Sequence, residues 1–411
     1  MSWTHSLVKM MTELPEHIKH ITVKSFEEVS GELTQPAQYS FQYTGSQPVS
    51  LTMKIKEEPY NRGNIHPVFA QNLPEGYVRH FIYKKLERHA NVNDLYLLAL
   101  QKDKGIGHLT FDSSIETALE DQLSLSDILT WKGETSIFPE LLNRHYLGGF
   151  ASGMQPKVLL SNVRATIAQE SYIVKSFDEE YPFLTVNEYV CMEAARAAGL
   201  SPPKCWLSED LNTFVIERFD FDNSEKLGFE DFSVLTGQEK YRGSYETLLK
   251  AIALFTKKPS EVKRGFEYIV FNCLIGNGDA HLKNFAVQYK KERNDITLTP
   301  PYDITHTLIY PTIGKNMALK MCGEKSFPGK NDLVKLGNNA KIKGAEQIIE
   351  RMADCISDYI KKSNEIKLIK ELRGSIESSL GRARSVPASI PPYRHDKKRK
   401  YDTNNTSGLP K

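Results

Sequence analysis

The sequence predicts an α+β chain in which an N-terminal β-rich domain precedes a two-lobed domain with a mainly helical carboxyl-terminal lobe. Two blocks of short segments rich in β-branched and aromatic residues, at 21–55 and 156–220, predict the sheets. A helical period that dominates from about Ser244 predicts the helical lobe, and 411 residues suffice for two or three domains. The expected division is 1–125 for the first domain and 126–385 for the second, whose smaller β-containing lobe ends near 220 and whose helical lobe spans 221–385. Residues 386–411, rich in Pro, Asn and basic side chains, are expected to be a disordered tail.

Along the chain, ITVKSF, EEVSGELT, YSFQYTG and VSLTMKI are separated by turn formers and read as a small antiparallel sheet. Val78, Phe81, Ile82 and Leu86 then fall at i, i+3, i+4 and i+8, a helical face, and NDLYLLALQ repeats the pattern before Gly105 and Gly107 end it. Residues 112–145 read as a polar, partly helical connection. PKVLLS, ESYIVKSF and TFVIERFD carry the second set of strand signals. Between the last two lies the helix LTVNEYVCMEAARAAGL, with Thr185 and Glu188 at capping-box spacing and Gly199 at the position after its end. Further on, GFEYIVFNCLIG aligns Phe266, Ile269, Val270, Cys273 and Leu274 on one stripe that stops at Gly276.

Composition narrows the function classes. The hydrophobic set at 40% and charged residues at 25% match an average globular protein, so most of the chain is expected to fold. The formal charge of +2 leaves no overall basic field for a nucleic-acid backbone. It conceals a split, because Arg394, Lys397, Lys398, Arg399, Lys400 and Lys411 against Asp396 and Asp402 make the end of the chain +4 and the remainder −2. Five scattered cysteines without a C-x-x-C pair disfavour a disulfide framework or a structural zinc site. With no apolar run of membrane-spanning length and no signal-peptide pattern, a cytoplasmic location and no membrane partner are expected.

The chemistry concentrates in GNGDAHLKNF, directly after the periodic helix. Asp279 and Asn284 are spaced D-x-x-x-x-N, as in protein-kinase catalytic loops, where the Asp accepts the substrate hydroxyl proton and the Asn helps to hold Mg²⁺. Past the strand-like FAVQYK and ITLT comes PPYDIT, whose Asp303 offers a second hard oxygen ligand on the second of those strands. Lys175 in SYIVKSF sits where a cation would meet nucleotide phosphates. Glu188 on the following helix either pairs with it, caps the helix with Thr185, or does both. GGFASGMQPK is small and flexible enough for backbone N–H groups to approach phosphates, although it fits neither common phosphate-loop pattern. TFVIERFD lies where a hinge holding an adenine would be expected, and Arg218 within it also suits a plain salt bridge. His281 either braces its loop or belongs to a D-x-H metal motif.

Taken together, these motifs resemble the HipA family, the serine/threonine kinase toxins of bacterial toxin–antitoxin pairs. The resemblance covers nearly the whole chain. NIHPVFAQNLPEGYVRHFI, with the signature LPEG at 73–76, and NDLYLLALQKDKGIGHLTF are similar to the family's N-terminal domain. ASGMQPKVLL, YIVK, NEYVCMEAARAAGL, FVIERFD, GNGDAHLKNF and TPPYDI are similar to successive motifs of its kinase domain. The resemblance implies a protein-kinase-like second domain that uses ATP and Mg²⁺. It implies Asp279 as catalytic base and Asn284 and Asp303 as metal ligands, with ATP contacts from Met154, Gln155, Pro156, Lys157, Val158, Leu159, Lys175, Glu217, Arg218, Phe219, His281, Lys283 and Tyr302. Glu188 would be the supporting ion-pair partner and Ser152 the site of autophosphorylation. The implied partners are a HipB-like helix-turn-helix antitoxin, operator DNA mainly through that antitoxin, and a protein substrate, an aminoacyl-tRNA synthetase. About 20 residues precede the first strand where the family usually starts near its beginning, and 238–264 match more loosely.

Two other classes compete. A metallophosphoesterase would use Asp and His ligands around two metals, but after His281 only His306 and His395 remain to supply them. A pseudokinase or scaffold would bind nucleotide without transfer, against which the set Asp279, Asn284, Asp303 and Lys175 argues.

Overall fold

The computed structural model describes residues 14–115, 123–133, 136–147, 165–168, 172–176 and 181–385. Ser152, the phosphate-loop residues Met154, Gln155, Pro156, Lys157, Val158 and Leu159, the expected strand PKVLLS and the basic tail lie outside the described residues.

Five strands build the first sheet: β1 (His20–Ser25), β2 (Glu28–Thr34), β3 (Tyr39–Tyr43), β4 (Tyr60–Arg62) and β5 (Leu109–Asp112). They run antiparallel in the order β4-β3-β2-β1-β5, so that β1 pairs with both β2 and β5, Val23 opposing Gly31 on one side and Phe111 on the other. Alternation along β1 and β3 turns Ile21, Val23 and Phe41 inward, where they meet Phe69 of α1 (Pro67–Ala70), Val78, Phe81 and Ile82 of α2 (Gly76–Leu86) and Leu98 of α3 (Asp94–Gln101). VSLTMKI, expected as a strand, is not one. Its polar groups are satisfied elsewhere: the Val49 N–H donates to the Tyr43 hydroxyl, that hydroxyl donates to the Met53 carbonyl, and the Leu51 N–H donates to Glu230. The fourth strand is Tyr60–Arg62 instead.

After α4 (Leu125–Leu129) and α5 (Phe138–Leu147) comes a second antiparallel sheet: β6 (Ala165–Ala168), β7 (Tyr172–Ser176), β8 (Cys205–Leu207) and β9 (Thr213–Glu217), in the order β6-β7-β9-β8. Its two faces serve different cores. Val174 and Val215 pack with the N-terminal cluster, whereas Ile173, Phe214 and Ile216 pack with the helical one. Because the strand period is two, Lys175 shares the Ile173 face and is thereby aimed at the helical lobe.

Helix α6 (Leu184–Ala197) connects β7 to β8. Its expected capping box is absent. The helix starts from Phe183 in a left-handed conformation, Thr185 lies inside the first turn, and its hydroxyl donates to the Leu211 carbonyl at 2.6 Å, which frees Glu188 for another partner. At the other end Gly199, at φ +85°, closes the expected stop: its N–H donates to the Arg196 carbonyl and that of Leu200 to Ala195.

The remainder contains the hairpin β10 (Phe221–Asp222) and β11 (Glu225–Lys226), and a small sheet of β12 (Gly228–Asp231), β13 (Ala286–Tyr289) and β14 (Thr297–Leu298). Around these pack α7 (Phe232–Thr236), α8 (Tyr245–Thr256), α9 (Pro259–Ile275), α10 (Lys330–Asn339), α11 (Ala345–Lys362) and α12 (Leu372–Arg384). The apolar stripe of α9 is buried throughout, and Gly276 at φ +79° ends it. Its missing side chain matters, because a Cβ there would stand 2.7 Å from His306 Nδ1.

Polar contacts clamp the first domain onto the second. Glu230, fully buried, accepts from the Ser50 and Tyr289 hydroxyls and from the Leu51 N–H, and burial pushes its carboxyl pKa up. Arg293 reaches the Ser25 hydroxyl and the Pro48 carbonyl, and its guanidinium lies over the Phe26 ring.

Candidate functional site

The loop 276–285 leaves α9 and is held from several sides before it presents any side chain. The Gly278 N–H donates to Thr307 Oγ1 at 2.8 Å, the Tyr245 hydroxyl to the Ala280 carbonyl at 2.9 Å, and the Asp279 N–H to Asn277 Oδ1 at 3.0 Å. Behind the loop, His306 bonds the Ile275 carbonyl through Nδ1 and the Ser375 hydroxyl through Nε2, and burial depresses its pKa to about 4, so it braces as a neutral ring.

On this frame the expected polar residues converge. Lys175 Nζ lies 2.5 Å from Glu188 Oε1 and 2.8 Å from Asp303 Oδ1. Asn284 Nδ2 donates to Asp303 Oδ2 at 2.7 Å, while Asn284 Oδ1 accepts the His281 N–H at 2.9 Å. Glu188 is only 2% exposed, so its carboxylate is a fixed charge that holds the ammonium in place. Asp279, His281, Lys283, Asn284 and Asp303 all line one cavity of about 480 Å³, which Ile173 also enters from the sheet. Burial, outweighing the nearby Asp279 and Asp303 charges, lowers the His281 pKa, so its imidazole is neutral at neutral pH.

Asp303 differs from its expected setting. It lies past β14 in irregular chain, at φ +57°, rather than on the strand. The tyrosine before it enforces this: the Tyr268 hydroxyl donates to the Tyr302 carbonyl at 2.6 Å, and the Tyr302 hydroxyl to the Lys283 carbonyl at 2.7 Å. The turned backbone lets one carboxylate meet both Lys175 and Asn284.

The hinge residues divide. Phe219 stacks on Tyr302, with centroids 5.2 Å apart at 23°, and Glu217 ends β9, its N–H on the Lys204 carbonyl. Arg218 is engaged within the protein: its guanidinium forks onto Asp220 at 2.9 and 2.6 Å and donates to the Gly105 carbonyl at 2.7 Å. Of the two roles open to it, the salt bridge is the one its side chain performs.

Sequence reasoning missed several neighbours. The Tyr241 hydroxyl donates to Asp279 Oδ1 at 3.1 Å, and Lys240 lines the cavity. Opposite the loop stands a wall from the first domain: Gln71, Asn72, Val78, Gln101, Ile106 and the LPEG segment. Glu75 of that segment pairs with Lys283 at 2.6 Å. Partial desolvation in the cavity wall works against the Glu75 charge, but Lys283, aided by Lys240, holds its carboxyl below the ordinary range. Apart from LPEG itself, nothing in the local sequence signals this wall.

A lysine between two carboxylates, with an amide and a further carboxylate in the same cavity, can bind an anionic group and orient a proton transfer beside it. Among the described residues no cluster of three His, Cys, Asp or Glu side chains could hold a metal ion. Asn284 and Asp303, an amide and a carboxylate joined at 2.7 Å, are oxygen donors that fit a cation completing its shell with phosphate and water oxygens, as Mg²⁺ does. The Asn284 amide and the Asp303 carboxylate supply the oxygens that would face it.

Comparison with known proteins agrees with this architecture. The HipA-like C-terminal domain family matches residues 149–360, and the HipA N-terminal domain family matches residues 21–112. The chain belongs to the HipA family. A solved HipA chain from Shewanella oneidensis, in complex with HipB and operator DNA, has this family fold: the TM-score is 0.63 at 15% identity, covering 88% of this chain and 97% of that one. The α+β class expected from the sequence is thus the fold found. A putative kinase of Haemophilus influenzae is 31% identical over 193 residues, which is 41% of this chain and 56% of that protein. The putative kinase Y4mE of Sinorhizobium fredii is 26% identical over 306 residues, 67% of this HipA-family chain and 72% of its own length. The chain spans about half the length of the H. influenzae relative and of a second S. fredii relative, the putative kinase Y4dM. Among the described residues no helix is long and apolar enough to cross a membrane.

Proposed function

We propose that the protein is an ATP- and Mg²⁺-dependent serine/threonine protein kinase that acts as the toxin of a toxin–antitoxin pair. The observation that carries this reading is the chain of contacts Glu188–Lys175–Asp303–Asn284, whose Asp303 and Asn284 line the same cavity as Asp279. In it, Lys175 meets the nucleotide phosphates and Glu188 keeps the ammonium from swinging away. Asn284 and Asp303 hold the metal, which neutralises charge on the phosphates. Asp279, steadied by Tyr241, accepts the proton of the substrate hydroxyl. Neutral His281 and the Lys283 cation flank it, and Phe219 and the Glu217 backbone line the base.

Kinship to putative kinases and to a HipA bound to HipB and operator DNA supports an antitoxin partner that brings the protein to DNA. An aminoacyl-tRNA synthetase as substrate and Ser152 as autophosphorylation site complete the proposal. The absence of a three-ligand cluster among the described residues disfavours the two-metal phosphoesterase alternative. Quantitative phosphoproteomics after brief expression of wild type or Asp279→Asn tests the reading. New phosphoserine or phosphothreonine sites in the wild-type cells alone, with Ser152 among them, are expected; indistinguishable phosphoproteomes contradict it.

A further inference from the structure

The wall that the first domain sets against the loop 276–285 carries an imbalance. Asn72 is 7% exposed and Gln101 is 5% exposed, yet both side-chain polar atoms of Asn72 and the Oε1 of Gln101 have no hydrogen-bond partner. The Gln71 Oε1 is likewise unsatisfied, although its Nε2 donates to the Phe229 carbonyl. Buried amides left unpaired cost free energy, and a cluster of them in the wall of a cavity signals a partner that arrives with a ligand.

Position identifies which part of a ligand they meet. Asn72 and Gln101 flank Gly105, whose carbonyl is held by Arg218 of the hinge, and they border the same cavity as Ile173 and Asp303. They therefore stand between the hinge, where the proposed reading puts the base, and Lys175 and Asp303, where it puts the phosphates. The part of a nucleotide that spans this interval is the sugar. Its 2′ and 3′ hydroxyls donate and accept, matching an amide that offers both and a second that offers an acceptor.

We propose that Asn72 and Gln101 of the N-terminal domain form a ribose-binding subsite, so that this domain completes the nucleotide site rather than merely packing against it. The inference rests on the nucleotide-binding reading above. It implies that the domain senses nucleotide: closing the wall onto a ribose satisfies groups that are otherwise buried and unpaired.

Calorimetric titration of the full chain with ATP, 2′-deoxyATP and 3′-deoxyATP in Mg²⁺ tests it, with binding itself as the readout. Wild type is expected to bind at least one of the deoxy analogues about 3–10-fold more weakly than ATP, the worth of one or two neutral hydrogen bonds. Asn72→Leu and Gln101→Met, which keep side-chain size, are expected to bind ATP weaker by a similar factor and to lose the discrimination. Asn72→Leu is also expected to raise the thermal midpoint of the nucleotide-free protein, because it removes two unpaired polar atoms; a merely structural asparagine would lower it. A wild type that binds all three nucleotides equally, or variants that keep the wild-type ratios, overturns the subsite. A wild type that binds none of them overturns the nucleotide reading beneath it.

Discussion

On the loop wall of the cleft, Lys175, Glu188, Asp303 and Asn284 form a continuous chain of hydrogen bonds, whereas on the wall from the first domain Asn72 and Gln101 are buried with polar atoms unpaired. The first wall concentrates charge, and charge in a partly dry cleft must be paired in advance to be tolerated. In the second, Glu75 is paired with Lys283 and the unpaired groups are neutral amides, whose burial costs less than that of an unpaired charge. On the proposed reading, the first wall is preorganised for phosphate chemistry and the second is completed by the ligand.

Breaking the paired wall should have the largest effect. Lys175→Met leaves the Glu188 carboxylate buried without its cation and is expected to cost about 3–5 kcal/mol in denaturant unfolding and to abolish nucleotide binding. Adding Glu188→Leu should restore most of the stability but none of the binding, since a well-packed apolar pair often replaces a buried ion pair at little cost. If the double variant were as unstable as the single one, the pairing account of this wall would be wrong.

Acidification should strain the brace behind the same wall. The native pKa of His306, about 4, lies below the ordinary 6.5, so between these values the unfolded chain binds the proton and the native ring does not. Stability from this group is therefore level above pH 6.5 and falls as pH drops towards 4, by roughly 2 kcal/mol between pH 7 and pH 5. His66, pushed to about 4 by burial, and His108, pushed to about 3, add to the slope of the wild type. His306→Gln should flatten its share of the slope, and an unchanged slope would mean that the native ring is protonated.

The ion pair of Glu75 with Lys283 across the cleft should matter least to stability. Glu75 is largely exposed, so Glu75→Gln is expected to change unfolding by under about 1 kcal/mol. A loss of several kcal/mol would mean that this pair, rather than Glu230, Arg293 and Arg218, holds the two domains together.

Legibility in the sequence followed the same division. The stripe ending at Gly276, the D-x-x-x-x-N loop and the Lys175–Glu188 pair were readable because each rests on spacing within one element or on the order of neighbouring ones. VSLTMKI misled, since its strand-like residues spend their hydrogen bonds on Tyr43 and Glu230. The Thr185–Glu188 spacing misled because the helix begins at Leu184, two residues before a Thr185 cap would start it. Asp303 was found by its order in the chain, but its left-handed backbone is imposed by Tyr268 and Tyr302 and leaves no local trace. The wall from the first domain joins residues some 200 positions apart, as Glu75 and Lys283 are, and no periodicity reports such a contact.

On the proposed reading this cleft transfers a phosphoryl group with Asp279 as the base, a step checked with purified wild type and Asp279→Asn incubated with γ-labelled ATP and Mg²⁺. Label incorporation into the protein itself or into lysate proteins should fall by about 10²–10⁴-fold in the variant while calorimetric ATP binding persists. Equal labelling of the two proteins would contradict the account.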